Sequence, residues 1–99
     1  MSDVVEPFVY NLGEEVPRDV IFVIVHHSFK ILPPRVFHDY PQLKEVQLPE
    51  GLEEIGPTFL GCEFLEYINY PSSLIKIGHY AFMGCRSLTE VLHLPIGIT

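Results

Sequence analysis

The sequence predicts an α/β solenoid in which short strands alternate with brief helical turns, one circuit to each repeat. Phe59-Leu60-Gly61-Cys62 returns as Phe82-Met83-Gly84-Cys85, a period of about 23 residues. Leu43, Val46 and Leu48 return as Leu65, Ile68 and Tyr70, then as Leu88, Val91 and Leu94, with Val20, Val23 and Val25 as a weaker copy upstream. Further along each unit stand Phe29, Leu52, Leu74 and Ile98, and beyond them Leu32, Ile55 and Ile77. Units this short cannot enclose a core alone, so each buries its apolar side by stacking on its neighbours.

The elements follow in order. Pro7-Phe8-Val9-Tyr10 stands outside the repeat and reads as a strand covering the open side of the first unit, within an N-terminal segment or cap spanning 1–19. Residues 20–99 form the repeat domain, about three units and a terminal strand. Within a unit, Val46-Gln47-Leu48 and Ile68-Asn69-Tyr70 place apolar residues at alternate positions, the period of a strand buried on one face. Each ends at a proline, which cannot donate to a ladder. Turns follow at Pro49-Glu50-Gly51, Pro71-Ser72-Ser73 and Pro95-Ile96-Gly97, then a second extended piece, Leu52 to Ile55 or Leu74 to Ile77, stopping at Gly56 or Gly78. Pro57 to Cys62 and His79 to Cys85 leave room for about one helical turn, with Phe and Cys on one side of it.

Leu65-Glu66-Tyr67-Ile68-Asn69-Tyr70-Pro71, Leu74, Ile77-Gly78, Ala81-Phe82 and Cys85 resemble the unit of leucine-rich repeat proteins of the BspA-like type. The resemblance covers residues 20–99. It implies a short right-handed leucine-rich-repeat solenoid with a parallel sheet on the concave face and short helical turns opposite. The chain departs from the pattern in three places. Pro57-Thr58-Phe59 is a residue shorter than the matching stretch of the next unit, so the backbone must tighten there. Val91-Leu92-His93-Leu94 is a residue longer, which predicts a bulge or an ambiguous register in the last strand. In the first unit Tyr40 takes the place of cysteine.

Thirteen acidic against six basic residues give a formal charge of −7, which works against attraction to phosphate backbones or anionic lipid. Neither nucleic acid nor membrane is expected as a partner. No apolar run approaches the roughly 20 residues of a membrane-spanning helix, and Met1-Ser2-Asp3 does not open a secretory signal. A cytoplasmic location is the expectation.

Five histidines and two cysteines raise the question of a metal or a nucleophile. His26 and His27 are neighbours in extended chain, so their side chains are expected on opposite faces, where they cannot share a metal. Cys62 and Cys85 fall in an interior column with no recurring basic residue to lower a thiol pKa, and are expected as free buried thiols. No nucleotide-binding, metalloprotease or nucleophile-elbow motif occurs. No catalytic residue, metal or cofactor is predicted, and the chain is not expected to be an enzyme.

Function is sought instead on the outward positions of the strands. Repetition lines up Phe22, Glu45, Tyr67 and Glu90 in one row, and Ile24, Gln47, Asn69 and Leu92 in the next. Aromatic and apolar groups mixed with hydrogen-bonding ones are what a recognition surface presents. Phe22, Ile24, Glu45, Gln47, Tyr67, Asn69 and Glu90 are therefore the candidate partner-binding residues, and a protein–protein interaction module is the expected function. Two alternatives are a structural module that stacks end to end and a fragment of a longer cell-surface adhesion protein, the latter suggested by bacterial relatives of the resembling family. Past Leu94-Pro95 the chain stops after Ile96-Gly97-Ile98-Thr99, short of a full unit, which predicts self-association through the C-terminal end or membership of a longer array.

Overall fold

Apolar residues at alternate positions become strands wherever a neighbouring unit offers a matching stretch. The structure is a computed structural model that describes residues 6–11, 13–78 and 80–88. Among these, the strands are β1 (Phe8–Tyr10), β2 (Phe22–Val25), β3 (Ile31–Leu32), β4 (Glu45–Gln47), β5 (Glu54–Ile55), β6 (Tyr67–Ile68) and β7 (Lys76–Ile77). They form two parallel sheets, a four-stranded one ordered β1-β2-β4-β6 and a three-stranded one ordered β3-β5-β7. Each unit gives one strand to each sheet, and the strand order skips accordingly.

The register equals the sequence repeat. Val23 pairs with Val46 and Val46 with Ile68 in the larger sheet, while Leu32 pairs with Ile55 and Ile55 with Ile77 in the smaller. Like residues therefore stack on like. Both sheets also begin in the same way, with one carbonyl accepting two successive N–H groups of the next unit. Lys44 and Glu45 donate to Ile21 at 2.8 and 3.1 Å, and Glu53 and Glu54 donate to Lys30 at 2.7 and 3.2 Å. Repetition of a backbone motif, not only of side chains, holds the register.

Between the sheets lies one core. Val23, Leu32, Phe37, Leu43, Val46, Leu52, Ile55, Phe59, Leu65 and Leu74 are almost wholly inaccessible. The phenylalanine column is continuous. Phe37 stacks on Phe59 with centroids 5.5 Å apart and Phe59 on Phe82 at 5.8 Å, the planes within 3° and 2° of parallel. The strand expected at Pro7 to Tyr10 is β1, which pairs with β2 and buries Tyr10 against Phe29, their rings 4.9 Å apart.

The helical turns foreseen opposite the sheet are hydrogen-bonded turns; no helix occurs among the described residues. Backbone handedness explains why. Two residues after each column phenylalanine, the chain enters the left-handed region, at Asp39 (φ 57°), Gly61 (φ 80°) and Gly84 (φ 82°). Two residues before it, Arg35 (φ 64°) and Tyr80 (φ 65°) do the same. A right-handed helix cannot pass through either point. The carbonyls so freed turn to the neighbouring unit, where Asp39 N–H donates to Leu60 at 2.8 Å and Gly61 N–H to Met83 at 2.7 Å.

Only in the middle unit does proline, whose φ cannot be positive, stand two residues before the phenylalanine. There the missing residue tightens the backbone as expected, and Thr58 N–H reaches Gly56 O at 2.7 Å across a three-residue turn centred on Pro57. Thr58 is fully buried, and its hydroxyl donates to Pro33 O at 3.1 Å.

His26 and His27 require a correction. Their rings lie 4.1 Å apart, on one side rather than on opposite faces. The strand ends at Val25, and a turn closed by Phe29 N–H on His26 O brings the two imidazoles together. The bulge foreseen at Val91 to Leu94 and the open C-terminal end lie outside the described residues.

Candidate functional site

The outward face of the larger sheet is built by strand alternation. In β2, Val23 and Val25 point into the core, which turns Phe22 and Ile24 outward; in β4, Val46 points in, and Glu45 and Gln47 face out. Tyr67 does the same in β6 and is 58% exposed. Phe22, Glu45 and Tyr67 are brought into one row by the pairing, and Ile24 and Gln47 into the next. Phe22, Ile24 and Glu45 are half-buried, whereas Gln47 is exposed. Glu90 lies outside the described residues.

Asn69 differs from the others. Its side chain is turned along the sheet, where Oδ1 accepts from Leu48 N–H at 2.6 Å and Nδ2 donates to Leu48 O at 2.9 Å. The amide thus stands in for a peptide group beyond the end of β6. These two bonds hold the edge of the face, and the exposed amide keeps a second N–H and a second lone pair.

Sequence reasoning overlooked Val9. It pairs with Ile24 and extends the second row by an apolar residue that is 43% exposed. The signal was present in the alternation of Phe8-Val9-Tyr10, but its register against β2 follows no repeat. Arg18 was missed as well. Its guanidinium donates to His38 O at 3.2 Å and Asp39 O at 2.9 Å and lies 4.9 Å from the centre of the Tyr40 ring. The Tyr40 hydroxyl in turn donates to Val16 O at 2.7 Å. A tyrosine in the cysteine column was the available clue: its longer side chain reaches a segment that no other unit possesses. An open cleft of about 420 Å³ lies beside this clasp, bordered by Glu14, Glu15 and Tyr10.

The thiols are structural in their setting. Cys62 Sγ donates to Phe37 O at 2.8 Å and Cys85 Sγ to Phe59 O at 3.2 Å, each bridging to the preceding unit. Both are free cysteines, Cys62 buried and Cys85 half-buried. Burial pushes the Cys62 thiol up to about 12 and raises that of Cys85 as well, against the nucleophilic thiolate. Tyr70 takes a leucine position of the core, and burial raises its hydroxyl to about 12. That hydroxyl finds no hydrogen-bond partner among the described residues. No cluster of three or more metal-ligating side chains occurs among the described residues, and no helix there is long and apolar enough to cross a membrane.

Stacked units, two parallel sheets and a mixed outward face define a repeat protein of the leucine-rich kind. The model of the BspA type leucine rich repeat region (6 copies) matches residues 20–97, and the chain belongs to that family. Repeats of this family commonly serve protein interaction or adhesion and are generally non-catalytic. No curated protein and no solved structure matches the chain.

Proposed function

We propose that this protein is a non-catalytic interaction module that binds a protein partner across the outward face of the four-stranded sheet. The observation that carries the reading is the chemistry of its two rows. Tyr67 and Val9 are large and exposed, Phe22 and Ile24 are half-covered, and Glu45 and Gln47 stand among them with hydrogen-bonding groups. A surface whose only role is hydration has no need of exposed aromatic and aliphatic groups beside polar ones. Aromatic anchors of this kind supply much of the energy of protein interfaces. Gln47 and Glu45 would set orientation, while Asn69 keeps the face in shape from its edge.

Photo-crosslinking tests the assignment. A benzophenone side chain placed at Tyr67 should form adducts with a partner from source lysate, while the same group at Phe64, exposed on a turn, should not. Adducts from Phe64 with none from Tyr67 would move recognition to the turns and end the reading.

A further inference from the structure

The row Phe22, Glu45, Tyr67 has a chemical order of its own: aromatic ring, carboxylate, aromatic ring on three adjacent strands. Neighbouring strands are about 4.8 Å apart, so the two aromatic residues start about 9.6 Å apart with the glutamate midway. A cation seated over the glutamate would lie about 5 Å from each ring, inside the roughly 6 Å reach of a cation–π contact. Among the described residues no cation of this chain closes an ion pair with Glu45. The chain as a whole, at −7, draws basic segments towards it.

We propose that Phe22, Glu45 and Tyr67 form a receptor for an arginine side chain of the partner protein, with the guanidinium held between the rings and paired to the carboxylate. Arginine fits better than lysine for three reasons. Its planar group stacks on aromatic faces, and its forked donors match a carboxylate at two points, whereas an ammonium is a compact and strongly hydrated charge. Arginine is also weakly hydrated enough to leave water for a half-buried site. Ile24 and Val9, in the adjacent row, offer apolar surface to the residues flanking that arginine. The proposal rests on the interaction reading above and names the chemistry that this face selects.

Titration of the isotope-labelled full chain with the peptide acetyl-Gly-Arg-Gly-amide tests it, followed by amide chemical shifts. The amides of Phe22, Glu45 and Tyr67 should move and saturate in the millimolar range, as suits a single side-chain contact of about 4 kcal/mol. The same peptide with citrulline, which keeps the shape and lacks the charge, should bind at least about fivefold more weakly. Glu45→Gln should weaken the arginine peptide similarly, and because Glu45 faces outward the amide spectrum should otherwise keep its dispersion. Equal binding of the citrulline peptide, shifts centred on Glu14-Glu15 or Glu53-Glu54, or no shift at any concentration would each overturn the receptor. Failure here is separable from failure of the interaction reading. If crosslinks from Tyr67 persist unchanged in Glu45→Gln, the face binds without the arginine; if the peptide shifts occur but Tyr67 yields no adduct, the receptor exists and the partner docks elsewhere.

Discussion

The side-chain amide of Asn69 bonds both the N–H and the carbonyl of Leu48, at 2.6 and 2.9 Å, as a peptide group of an adjacent strand would. The larger sheet is thereby prolonged by a side chain where Pro71, two residues on, would let the backbone donate no further. A residue of the outward row thus also serves the scaffold. Asn69→Ala should then cost about 1–3 kcal/mol, because the partly buried Leu48 groups lose their partners. Asn69→Asp should fare little better, since a carboxylate accepts but cannot donate to Leu48 O. Urea midpoints give the answer; an unchanged midpoint for the alanine variant would mean that water replaces the amide without loss. Tyr67→Ala, exposed on the same strand system, should stay within about 0.5 kcal/mol.

The phenylalanine column predicts an ordering. Phe59 is fully buried and stacked on both sides, by Phe37 and Phe82, whereas Phe82 is half-buried with Phe59 on one side and the Tyr70 ring edge-on at 6.1 Å. Phe59→Ala should cost roughly 3–5 kcal/mol, the range for aromatic truncation in a core, and Phe82→Ala less. Chemical unfolding of the two variants side by side checks this; the reverse order would place the centre of the core nearer the last described unit.

Alkaline pH should destabilise the fold. Burial raises Cys62 from 9.0 and Tyr70 from 10.0, each to about 12, and raises Cys85, Tyr10 and Tyr40 in the same direction. Above pH 9 the unfolded chain releases protons that the native state retains, so the native state binds more and stability falls as pH rises. This contribution is fully present below pH 9 and is lost through about 12. Urea unfolding at neutral pH and near the upper end of that window measures the slope. Cys62→Ala should flatten it, and a slope untouched by that change would assign the effect to Cys85 and the tyrosines.

Tyr40 and Arg18 predict a local response. Tyr40→Phe keeps the ring and removes the hydroxyl bond to Val16, while Arg18→Ala releases the carbonyls of His38 and Asp39. Each should cost about 1 kcal/mol or less, as befits one net hydrogen bond or exposed contacts. The distinguishing sign is where protection is lost. Hydrogen exchange should quicken at the β1–β2 ladder, including the His26 N–H that donates to Tyr10 O at 3.0 Å, and leave the β4–β6 ladder unchanged. Uniform quickening would mean that the N-terminal segment unfolds only with the whole.

Repetition makes most of the architecture legible in the chain itself. Val23, Val46 and Ile68, or Leu32, Ile55 and Ile77, align by spacing alone because stacked units must bring equivalent residues together, and apolar spacing records which side is buried. The deletion before Phe59 is visible for the same reason, and so is its tightened turn. What repetition does not convey is how the chain turns between strands. Helical turns are the expectation where left-handed residues in fact interrupt the backbone, and at Asp39, Arg35 and Tyr80 no glycine announces the change.

Contacts that occur once are equally hidden. The Arg18–Tyr40 clasp, the register of Val9 on Ile24 and the close approach of the His26 and His27 rings join residues that no periodic rule relates. Asn69 shows the limit within the repeat itself: its position in the outward row is readable from the sequence, but rotation about its side-chain bonds chose the Leu48 backbone over solvent. Alternation in the chain determines which way a side chain leaves a strand, whereas only the packed structure decides which unpaired donor or acceptor lies within its reach.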